Sequence, residues 1–441
     1  MKLSKIGGLP YAGRVEAVRV CIVKVFVRRG GAVGGQTVGG KKSRENKTDD
    51  EESVKRGDCE ERSWTPGDCA VRSLRGKEGG YFRAVLRIED IDSTLLSFTH
   101  SVPQVPCYFI FGDSLLDNGN NNHLITEAKA NYPPYGIDFS DGTTGRFTNG
   151  RNLADVVAQH LGFENSIPPF ATARGEEIAQ GVNYASGAAG IRDETAMHMG
   201  GRISMNQQLT NHAITMLRLV DVIGNGSLAR VQEQLKKCIY TVGMGNNDYI
   251  NNYYLPQYYL TSKLYTPEKY AEILIKQYSK QLTKLYKYGA RKFGISGAGY
   301  IGCTPAMMTR FNTNTCVDAV NGAIVEFNAK LVSSLGELES KLSGAKFIYI
   351  EPSLGYSSDF NVTDKPCCDI STTIGIGEGQ CAPNKIPCSA RENIVFWDGF
   401  HPTESISLVD GATIYETLSP FYSSDTKDSF PISDAGFVSV L

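Results

Sequence analysis

The sequence predicts an α/β fold in which helices cover both faces of a parallel β-sheet. Short β-rich runs recur after Cys107, helical stretches with an apolar stripe separate several of them, and the chain is long enough for a large core. It has 441 residues, of which 41% are hydrophobic and 21% are charged. Strands separated by helices of this length pair in parallel, because each helix returns the chain to the same end of the sheet.

The first 104 residues differ in composition from the rest of the chain. Their stretch RGGAVGGQTVGGKKSRENKTDDEESVKRGDCEER combines glycine pairs with mixed charges and has almost no apolar periodicity. Such a segment buries too little apolar surface to offset its ordering entropy. We expect residues 1–104 to be a disordered or atypical extension, dispensable rather than regulatory or targeting, and residues 105–441 to form the folded domain.

The predicted strands and helices follow one another along this domain. The strands are CYFIFG, GVNYA, CIYTVG, RKFGIS, KFIYIE and IVFW, which begin at Cys107, Gly181, Cys238, Arg291, Lys346 and Ile394. One helix follows Thr266-Pro267, where threonine can cap and proline can take the first helical position. Its inward residues are Leu274, Tyr278, Leu282 and Leu285. Another carries a stripe with steps of three and four, formed by Val317, Val320, Ile324, Phe327, Leu331, Leu335, Leu338 and Leu342.

Charge and hydropathy exclude several classes of protein. The formal net charge of −2 gives no reason to expect nucleic acid or an anionic membrane as a partner. No stretch approaches the roughly 18 to 20 apolar residues of a transmembrane helix, so we expect no integral membrane span. The best candidate for a signal peptide, VRVCIVKVFV, is interrupted by Arg19 and Lys24, and we do not accept it as one.

Cysteines indicate an oxidising compartment. Eight of the 11 cysteines lie after residue 100: Cys107, Cys238, Cys303, Cys316, Cys367, Cys368, Cys381 and Cys388. The even number predicts disulfides, whereas the last four lack the C-x-x-C pairs of a zinc site. Sequons at Asn46, Asn225 and Asn361 also fit secretion.

Side chains capable of chemistry follow four of the predicted strands. Ser114 follows the first strand, Gly187 the second and Asn247 the third, while Asp398 and His401 follow the last. In an open parallel sheet, ligands bind outside the carboxyl ends of the strands. Together these residues supply a hydroxyl, a backbone N–H, an amide, and a carboxylate three residues before an imidazole. They are the parts of a serine hydrolase.

Each of these residues has a possible role in that chemistry. His401 is the candidate base for the hydroxyl of Ser114, and Asp398 is the carboxylate that orients the imidazole. The N–H groups of Ser114 and Gly187 and the amide of Asn247 are the candidate oxyanion donors. Taken singly, Gly-Asp-Ser is more often a turn and Asp398 could cap a helix, so the prediction depends on the conjunction.

Two other motifs argue against different functions. GAGYIG satisfies G-x-G-x-x-G after a strand, but Cys-Thr-Pro follows where an unbroken helix should begin, so we do not predict dinucleotide binding. No G-x-S-x-G occurs, which argues against the nucleophile elbow of α/β-hydrolases.

An ordered set of blocks resembles the plant GDSL esterase/lipase family, a branch of the SGNH hydrolases. The blocks are FIFGDSLLDNGNNN, GRFTNGRNLADVVAQHLG, GVNYASGAAGIRDET, GGRIS, YTVGMGNNDYINNYY, GCTP and FWDGFHPTE. The resemblance implies a three-layer αβα sandwich with a flavodoxin-like sheet, no metal or organic cofactor, secretion, and ester or acyl substrates. It implies the same roles for Ser114, Gly187, Asn247, Asp398 and His401.

Other features of the chain are interpreted beside this resemblance. We expect the asparagines of DNGNNN to be scaffolding for Ser114, because Asn and Asp tolerate left-handed conformations and bond their own backbone. Family members usually begin with a signal peptide shortly before the first block, so one hypothesis is that the start or first exon of this chain is misassigned. The segment from Glu351 to Cys367 is shorter than in typical members, which bears on the shape of the pocket.

The resulting prediction is a secreted serine esterase or lipase that hydrolyses carboxylic esters through an acyl-enzyme. Its substrate would be a small-molecule or lipid acyl ester, with no nucleic-acid partner, and we expect a monomer. An acyltransferase that uses the same Ser114 is the first alternative. A non-catalytic binding protein on the same fold is the second.

Overall fold

A computed structural model describes residues 102–352, 362–371 and 375–423, and for residues 362–364 it describes the backbone alone. The predictions for residues 1–101 and for the sequons at Asn46 and Asn361 lie outside the described residues, as does the middle of the segment between Glu351 and Cys367. Its strands are β1 (Tyr108–Gly112), β2 (Ile239–Gly243), β3 (Lys292–Ser296), β4 (Lys346–Ile350), β5 (Val362–Pro366) and β6 (Ile394–Phe396). Its helices are α1 (Leu153–His160), α2 (Met205–Val222), α3 (Leu228–Leu235), α4 (Asn246–Asp248), α5 (Thr261–Leu264), α6 (Pro267–Tyr288), α7 (Pro305–Arg310), α8 (Asp318–Lys341) and α9 (Glu404–Thr417).

The central sheet is parallel, with β1, β2, β3 and β4 side by side in that order. The predicted strand GVNYA lies along the free edge of β1 as a short hydrogen-bonded segment rather than a regular strand. Ile110 N–H donates to Val182 O at 3.2 Å, and Tyr184 N–H donates to Ile110 O at 2.7 Å. With this segment included, the spatial order in chain numbering is 2-1-3-4-5, the flavodoxin-like order. The predicted α/β fold is therefore confirmed.

Helices cover both faces of this sheet. Because successive residues of a strand point to opposite sides, β1 contributes to two cores. Phe109 and Phe111 pack with residues of α2, α3, α6 and α8. Tyr108 and Ile110 pack on the other side with residues of α1 and α9. These helices and the sheet form the three layers of the predicted αβα sandwich.

Helices α6 and α8 are the two that apolar periodicity predicts. Thr266 caps α6 by accepting the N–H of Lys269 at 3.2 Å, and Pro267 is its first residue. The stripe of α8 is buried from Val320 to Leu338. Each fully buried Leu, Ile or Phe contributes roughly 1.5–3 kcal/mol relative to an exposed one, so this face anchors the helix to the sheet.

The last predicted strand, IVFW, forms β6 outside the central sheet. It pairs in parallel with β5 in a separate two-stranded sheet. Two neighbouring cysteines join its end to the chain after β5, because Cys367 N–H donates to Phe396 O at 2.9 Å and Cys368 N–H donates to Trp397 O at 3.0 Å. The candidate residues after IVFW therefore project from this small sheet, whereas Ser114 projects from the central one.

Four disulfides connect the eight cysteines that follow residue 100. The pairs are Cys107–Cys238, Cys303–Cys316, Cys367–Cys388 and Cys368–Cys381. The prediction of disulfides is confirmed, and the structure supplies the pairing that the sequence left open. Within the described ranges, no helix is long and apolar enough to cross a lipid bilayer.

Candidate active site

Ser114 lies in a tight turn at the carboxyl end of β1. The Oδ1 atom of Asp113 accepts the N–H of Leu115 at 3.1 Å, and its Oδ2 accepts Asn246 Nδ2 at 3.3 Å. These bonds join the serine turn to the loop after β2. A Cβ at Gly112 would lie 2.7 Å from the end of the Leu116 side chain and 3.1 Å from the carbonyl oxygen of Gly243, so the turn is tightly packed there. The bend leaves the Ser114 side chain half-buried.

Asp398 and His401 approach the serine from the turn after β6. The Nε2 atom of His401 lies 2.7 Å from Ser114 Oγ, and its Nδ1 atom lies 2.9 and 2.8 Å from the two carboxylate oxygens of Asp398. The N–H groups of Phe400 and His401 both donate to Asp398 Oδ1 at 2.8 Å, which closes the turn onto the carboxylate. The structure thus brings hydroxyl, imidazole and carboxylate together in one chain of hydrogen bonds.

A cavity of about 420 Å³ opens over Ser114 and His401. Its lining includes apolar side chains of the serine turn and of helices α1 and α9, among them Leu115, Leu153, Val157, Ile406 and Ile414. It also includes polar side chains, among them Glu127, His198, Asn251 and Gln380. A largely apolar space with a few convergent polar groups is typical of a site for a small molecule.

Comparisons with known proteins give the family of this chain. The model of the family "GDSL-like Lipase/Acylhydrolase" matches residues 108–406. In Arabidopsis thaliana, GDSL esterase/lipase At5g45670 is 46% identical over 331 residues, which cover 72% of this chain and 90% of that protein. GDSL esterase/lipase At1g29670 is 46% identical over 339 residues, with 75% and 90% covered. GDSL esterase/lipase At1g29660 is 49% identical over 312 residues, with 68% and 84% covered.

The chain belongs to the GDSL-like lipase/acylhydrolase family. The family predicted from the ordered blocks is therefore confirmed, and the chain is a hydrolase of carboxylic ester bonds. The matched region runs from β1 into α9 and includes all the candidate site residues, namely Ser114, Gly187, Asn247, Asp398 and His401.

In this GDSL-like hydrolase, Asn247 is fixed at the cavity by both ends of its amide. Its Nδ2 donates to Ala189 O at 3.1 Å, and its Oδ1 accepts Asn251 Nδ2 at 2.7 Å. Asn247 and Ser114 line the same cavity. Because an amide nitrogen carries two hydrogens, Nδ2 retains one that it can offer to a ligand.

Gly187 has surroundings that differ from those expected of a free oxyanion donor. Its N–H already donates to Asp117 Oδ2 at 2.9 Å. Its neighbour Ala188, rather than Gly187 itself, lines the cavity. A Cβ at position 187 would lie 2.6 Å from Phe147 and 2.7 Å from Asn121. The packing of this loop therefore requires glycine independently of any role in catalysis.

Asp117 is a buried carboxylate that the sequence analysis did not single out. It accepts the N–H groups of Gly119 and Asn120 at 2.7 Å each, besides that of Gly187. Burial raises the pKa of Asp117 to about 6, and these hydrogen bonds only partly oppose the shift. The carboxylate ties the serine loop to the loop that follows GVNYA. An aspartate two positions before a glycine is a common turn signal, and nothing in the sequence indicates its distant partner.

The asparagines of DNGNNN are scaffolding, but in a way that differs from the expectation. Of this stretch only Gly119 has a positive φ, so the asparagines do not serve by adopting left-handed conformations. Their side chains instead bond the backbone of other loops. The acceptors are Ile167 O for Asn118, Asn183 O and Ala185 O for Asn120, Ala128 O and Gly187 O for Asn121, and Thr144 O for Asn122. The apolar strand gives way to asparagines because an irregular buried loop needs partners for its neighbours' carbonyl groups.

The glycine-rich stretch after β3 carries a different pattern from a dinucleotide site. Asparagine Oδ1 atoms accept its N–H groups at 2.8–2.9 Å, with Asn328 bonded to Ala298, Asn246 to Gly299, and Asn321 to Gly302. A pyrophosphate would need such N–H groups free at a helix N-terminus.

Tyr135 is a second residue that sequence reasoning missed. Its hydroxyl donates to Asp398 Oδ2 at 2.6 Å, and both residues are fully buried. They stand 263 positions apart. No local pattern links them, so only the folded chain reveals the contact.

Proposed function

We propose that the chain hydrolyses acyl esters through an acyl-enzyme formed on Ser114, with His401 as the general base and Asp398 as the carboxylate that orients it. The observation that carries this proposal is the pair of contacts made by the imidazole, 2.7 Å from Nε2 to Ser114 Oγ and 2.8 Å from Nδ1 to Asp398 Oδ2. A serine hydroxyl is a weak nucleophile until an adjacent base takes its proton. Both distances are within the reach that such proton transfer requires.

In the acylation half, Ser114 Oγ attacks the carbonyl carbon of the ester while His401 Nε2 takes the hydroxyl proton. The bond to the alcohol oxygen then breaks, and His401 returns that proton to the leaving alcohol. Asp398 accepts the Nδ1–H, which keeps Nε2 available as the acceptor and balances the charge of the transient imidazolium.

In the deacylation half, water takes the place of the alcohol. His401 removes one proton from the water, and the resulting hydroxide attacks the acyl carbonyl. Ser114 leaves with that proton, the carboxylic acid is released, and the starting state is restored.

The proposed oxyanion donors are Ser114 N–H, the second hydrogen of Asn247 Nδ2, and Gly187 N–H. Asn247 is held in place by its other contacts, which favours preorganised donation. Gly187 has to exchange its bond to Asp117 for a bond to the oxyanion. A donor of this kind is worth roughly 10² to 10³ in rate, so even two of them would supply much of the catalysis.

The substrate that we propose is an ester whose acyl group occupies the apolar part of the cavity. Leu153 and Val157 of α1 and Ile406 and Ile414 of α9 are apolar side chains that line this part. The polar side chains that α9 adds to the cavity are Asp410, Thr413 and Thr417. Burial of each CH₂ contributes roughly 0.8 kcal/mol, so affinity should rise with chain length until the space is filled. Secretion is the localisation that we propose, because disulfides form and persist in oxidising compartments and are rare in the cytosol, and this chain has four.

The experiment that tests this function uses the purified full-length chain and its Ser114→Ala variant. Each protein is incubated with a fluorophosphonate probe and, separately, with p-nitrophenyl esters of increasing acyl length. We expect covalent labelling and ester release in the wild type, and a loss of at least about 10³-fold in kcat for Ser114→Ala. Circular dichroism checks that both proteins are folded, and light scattering tests the expected monomer.

Two outcomes would change the conclusion. A folded wild-type chain that neither reacts with the probe nor releases any p-nitrophenol would contradict the Ser114 mechanism. A product analysis with added alcohols in which transfer exceeds hydrolysis would replace the esterase by the acyltransferase.

A further inference from the structure

The carboxylate of Asp398 has a hydrogen-bond donor from outside its own turn. On Oδ1 it accepts the backbone N–H groups of Phe400 and His401. On Oδ2 it accepts the hydroxyl of Tyr135 at 2.6 Å, and His401 Nδ1 lies 2.8 Å from the same oxygen. The tyrosine and the imidazole therefore share one oxygen of a fully buried carboxylate.

Tyr135 is itself held rigidly in this position. Its ring packs edge-on against Phe147, 6.1 Å away between centroids, and against Trp397 at 6.5 Å. Its hydroxyl oxygen accepts the N–H of Cys381 at 3.1 Å. Burial and the nearby carboxylate raise the pKa of the Tyr135 phenol well above its ordinary value, so the hydroxyl is protonated and can donate at neutral pH.

We propose that Tyr135 is a positioning residue for Asp398 and His401. Tyr135 fixes the Asp398 carboxylate and couples it to the segment closed by the Cys368–Cys381 disulfide. This inference rests on the proposed function, because it assigns Tyr135 a part in orienting His401. Neither Tyr135 nor Tyr132 lines the cavity, so Tyr135 acts through Asp398 and does not touch substrate.

The physical effect of this hydrogen bond has a definite sign. A phenol that donates to a carboxylate draws negative charge toward its own hydrogen, which leaves less charge to stabilise a neighbouring imidazolium. Removal of the hydroxyl should therefore raise the pKa of His401 and loosen the orientation of Asp398. Among the described residues, two further titratable groups interact electrostatically with this pair, Asp113 with His401 and Tyr132 with Asp398.

Tyr132 provides a matched control on the same loop. Its hydroxyl donates to Cys381 O at 2.9 Å, so both tyrosines bond the backbone of the same cysteine. Its ring lies 5.3 Å from that of Tyr135 between centroids, in an edge-on arrangement. Tyr132→Phe perturbs the disulfide segment without removing a hydrogen bond from Asp398.

The test compares Tyr135→Phe and Tyr132→Phe by the pH dependence of kcat and kcat/KM on a soluble p-nitrophenyl ester. For Tyr135→Phe we expect kcat to fall about 10-fold, KM to change little, and the acidic limb of both profiles to move up by roughly half to one pH unit. For Tyr132→Phe we expect the acidic limb to coincide with that of the wild type.

A second readout separates this proposal from the proposed function. The NMR titration of the His401 ring reports its pKa without any turnover, and we expect Tyr135→Phe to raise that pKa while Tyr132→Phe does not. Replacement of Tyr135 by 3-fluorotyrosine, a stronger donor, should lower it and provides a test if Tyr135→Phe does not fold. The positioning role would be overturned if neither Tyr135→Phe nor 3-fluorotyrosine at position 135 changed the His401 titration. Equal shifts in Tyr135→Phe and Tyr132→Phe would overturn it as well. Absence of ester turnover in the wild type would instead contradict the proposed function, while the His401 titration would still test whether Tyr135 acts on the Asp398–His401 pair.

Discussion

The two halves of the proposed catalytic site are supported in different ways. Ser114 extends from the central parallel sheet, and buried polar side chains such as Asp117 and Asn120 hold its loop. His401 and Asp398 extend from a two-stranded sheet that two disulfides flank. Noncovalent bonds hold the serine loop at the carboxyl end of β1, because the Cys107–Cys238 disulfide joins β1 and β2 at their opposite ends. Two disulfides and the contact with Tyr135 adjoin the other half.

This difference follows from the amount of regular structure beneath each half. β1 has hydrogen-bonded neighbours on both edges, so a loop at its end needs only side-chain contacts to become ordered. β6 has three residues and an irregular register with β5. A short pairing of this kind stabilises little by itself, and disulfides compensate by restricting the unfolded chain.

The largest effect in this comparison is expected on the noncovalent side, from Asp117→Asn. The amide can still accept the N–H groups of Gly119 and Asn120, but its NH₂ then faces the N–H of Gly187. Two opposed donors would displace the loop beside Ser114, and we expect kcat to fall about 10²-fold, since small displacements at a reacting centre cost this much. Steady-state kinetics on a p-nitrophenyl ester measures the loss.

Asp248→Asn is the matched control for that substitution. Asp248 is also buried, and it bonds Ile191 N–H and Arg192 N–H farther along the same loop, at 2.8 and 3.1 Å. Burial raises its pKa to about 6 as well. We expect a similar loss of stability and a smaller loss of kcat. Equal losses of kcat in the two variants would show that general loosening, rather than the Gly187 contact, is responsible.

An intermediate effect is expected on the covalent side, from replacement of both Cys368 and Cys381 by alanine. The segment that presents Cys381 N–H to Tyr135 would then be released, and Asp398 would lose part of its support. We expect kcat of the folded variant to fall about 10-fold, as for Tyr135→Phe, because both changes weaken the support of Asp398. The measurement is kcat at saturating ester, corrected by active-site titration with the fluorophosphonate.

The disulfide Cys303–Cys316 is a control of matched loop length for that experiment, and because Cys303 also lines the cavity, KM is measured beside kcat in both variants. Both bonds span a sequence separation of 13 residues. Loss of either should lower the free energy of unfolding by about 3 kcal/mol in the chain-entropy model. A fall in kcat that is as large without Cys303–Cys316 as without Cys368–Cys381 would contradict a specific link to Asp398.

The sequence could predict features that lie within one strand or helix, but not the contacts between loops that are distant in the chain. The strands and the stripe of α8 were predictable, because alternation and a 3.6-residue period reflect burial within one element. Ser114 and Asn247 were predictable as candidates because the carboxyl ends of neighbouring strands meet at one edge of a parallel sheet. Asp398 and His401 were named by the same reasoning, although the strand that precedes them lies outside the central sheet.

The contacts that the sequence did not predict join distant parts of the chain. Eight cysteines allow 105 pairings, and no spacing rule selects the observed set. Tyr135 and Asp398 are separated by 263 positions, and the bond between Asp117 and Gly187 spans 70. Such contacts depend on how loops fold over one another, which periodicity within one element does not encode. The same limit explains why β6 was predicted as a strand although its membership of a second sheet was not.

The smallest effect is expected in the pH dependence of stability, and it also tests the noncovalent side. The pKa of Asp117 is raised to about 6 in the folded chain, above its ordinary value. The folded state therefore binds this proton more tightly than the unfolded state, and the corresponding stabilisation is lost as the pH rises through 6. Relative to Asp117→Asn, which does not titrate, the wild type should lose about 1 kcal/mol of unfolding free energy between pH 5 and pH 7. Asp113 and Asp248 are present in both proteins, so their titration largely cancels in the difference. Urea unfolding of the two proteins at each pH measures it, and a difference that does not vary with pH would mean that the Asp117 carboxylate stays ionised in spite of its burial.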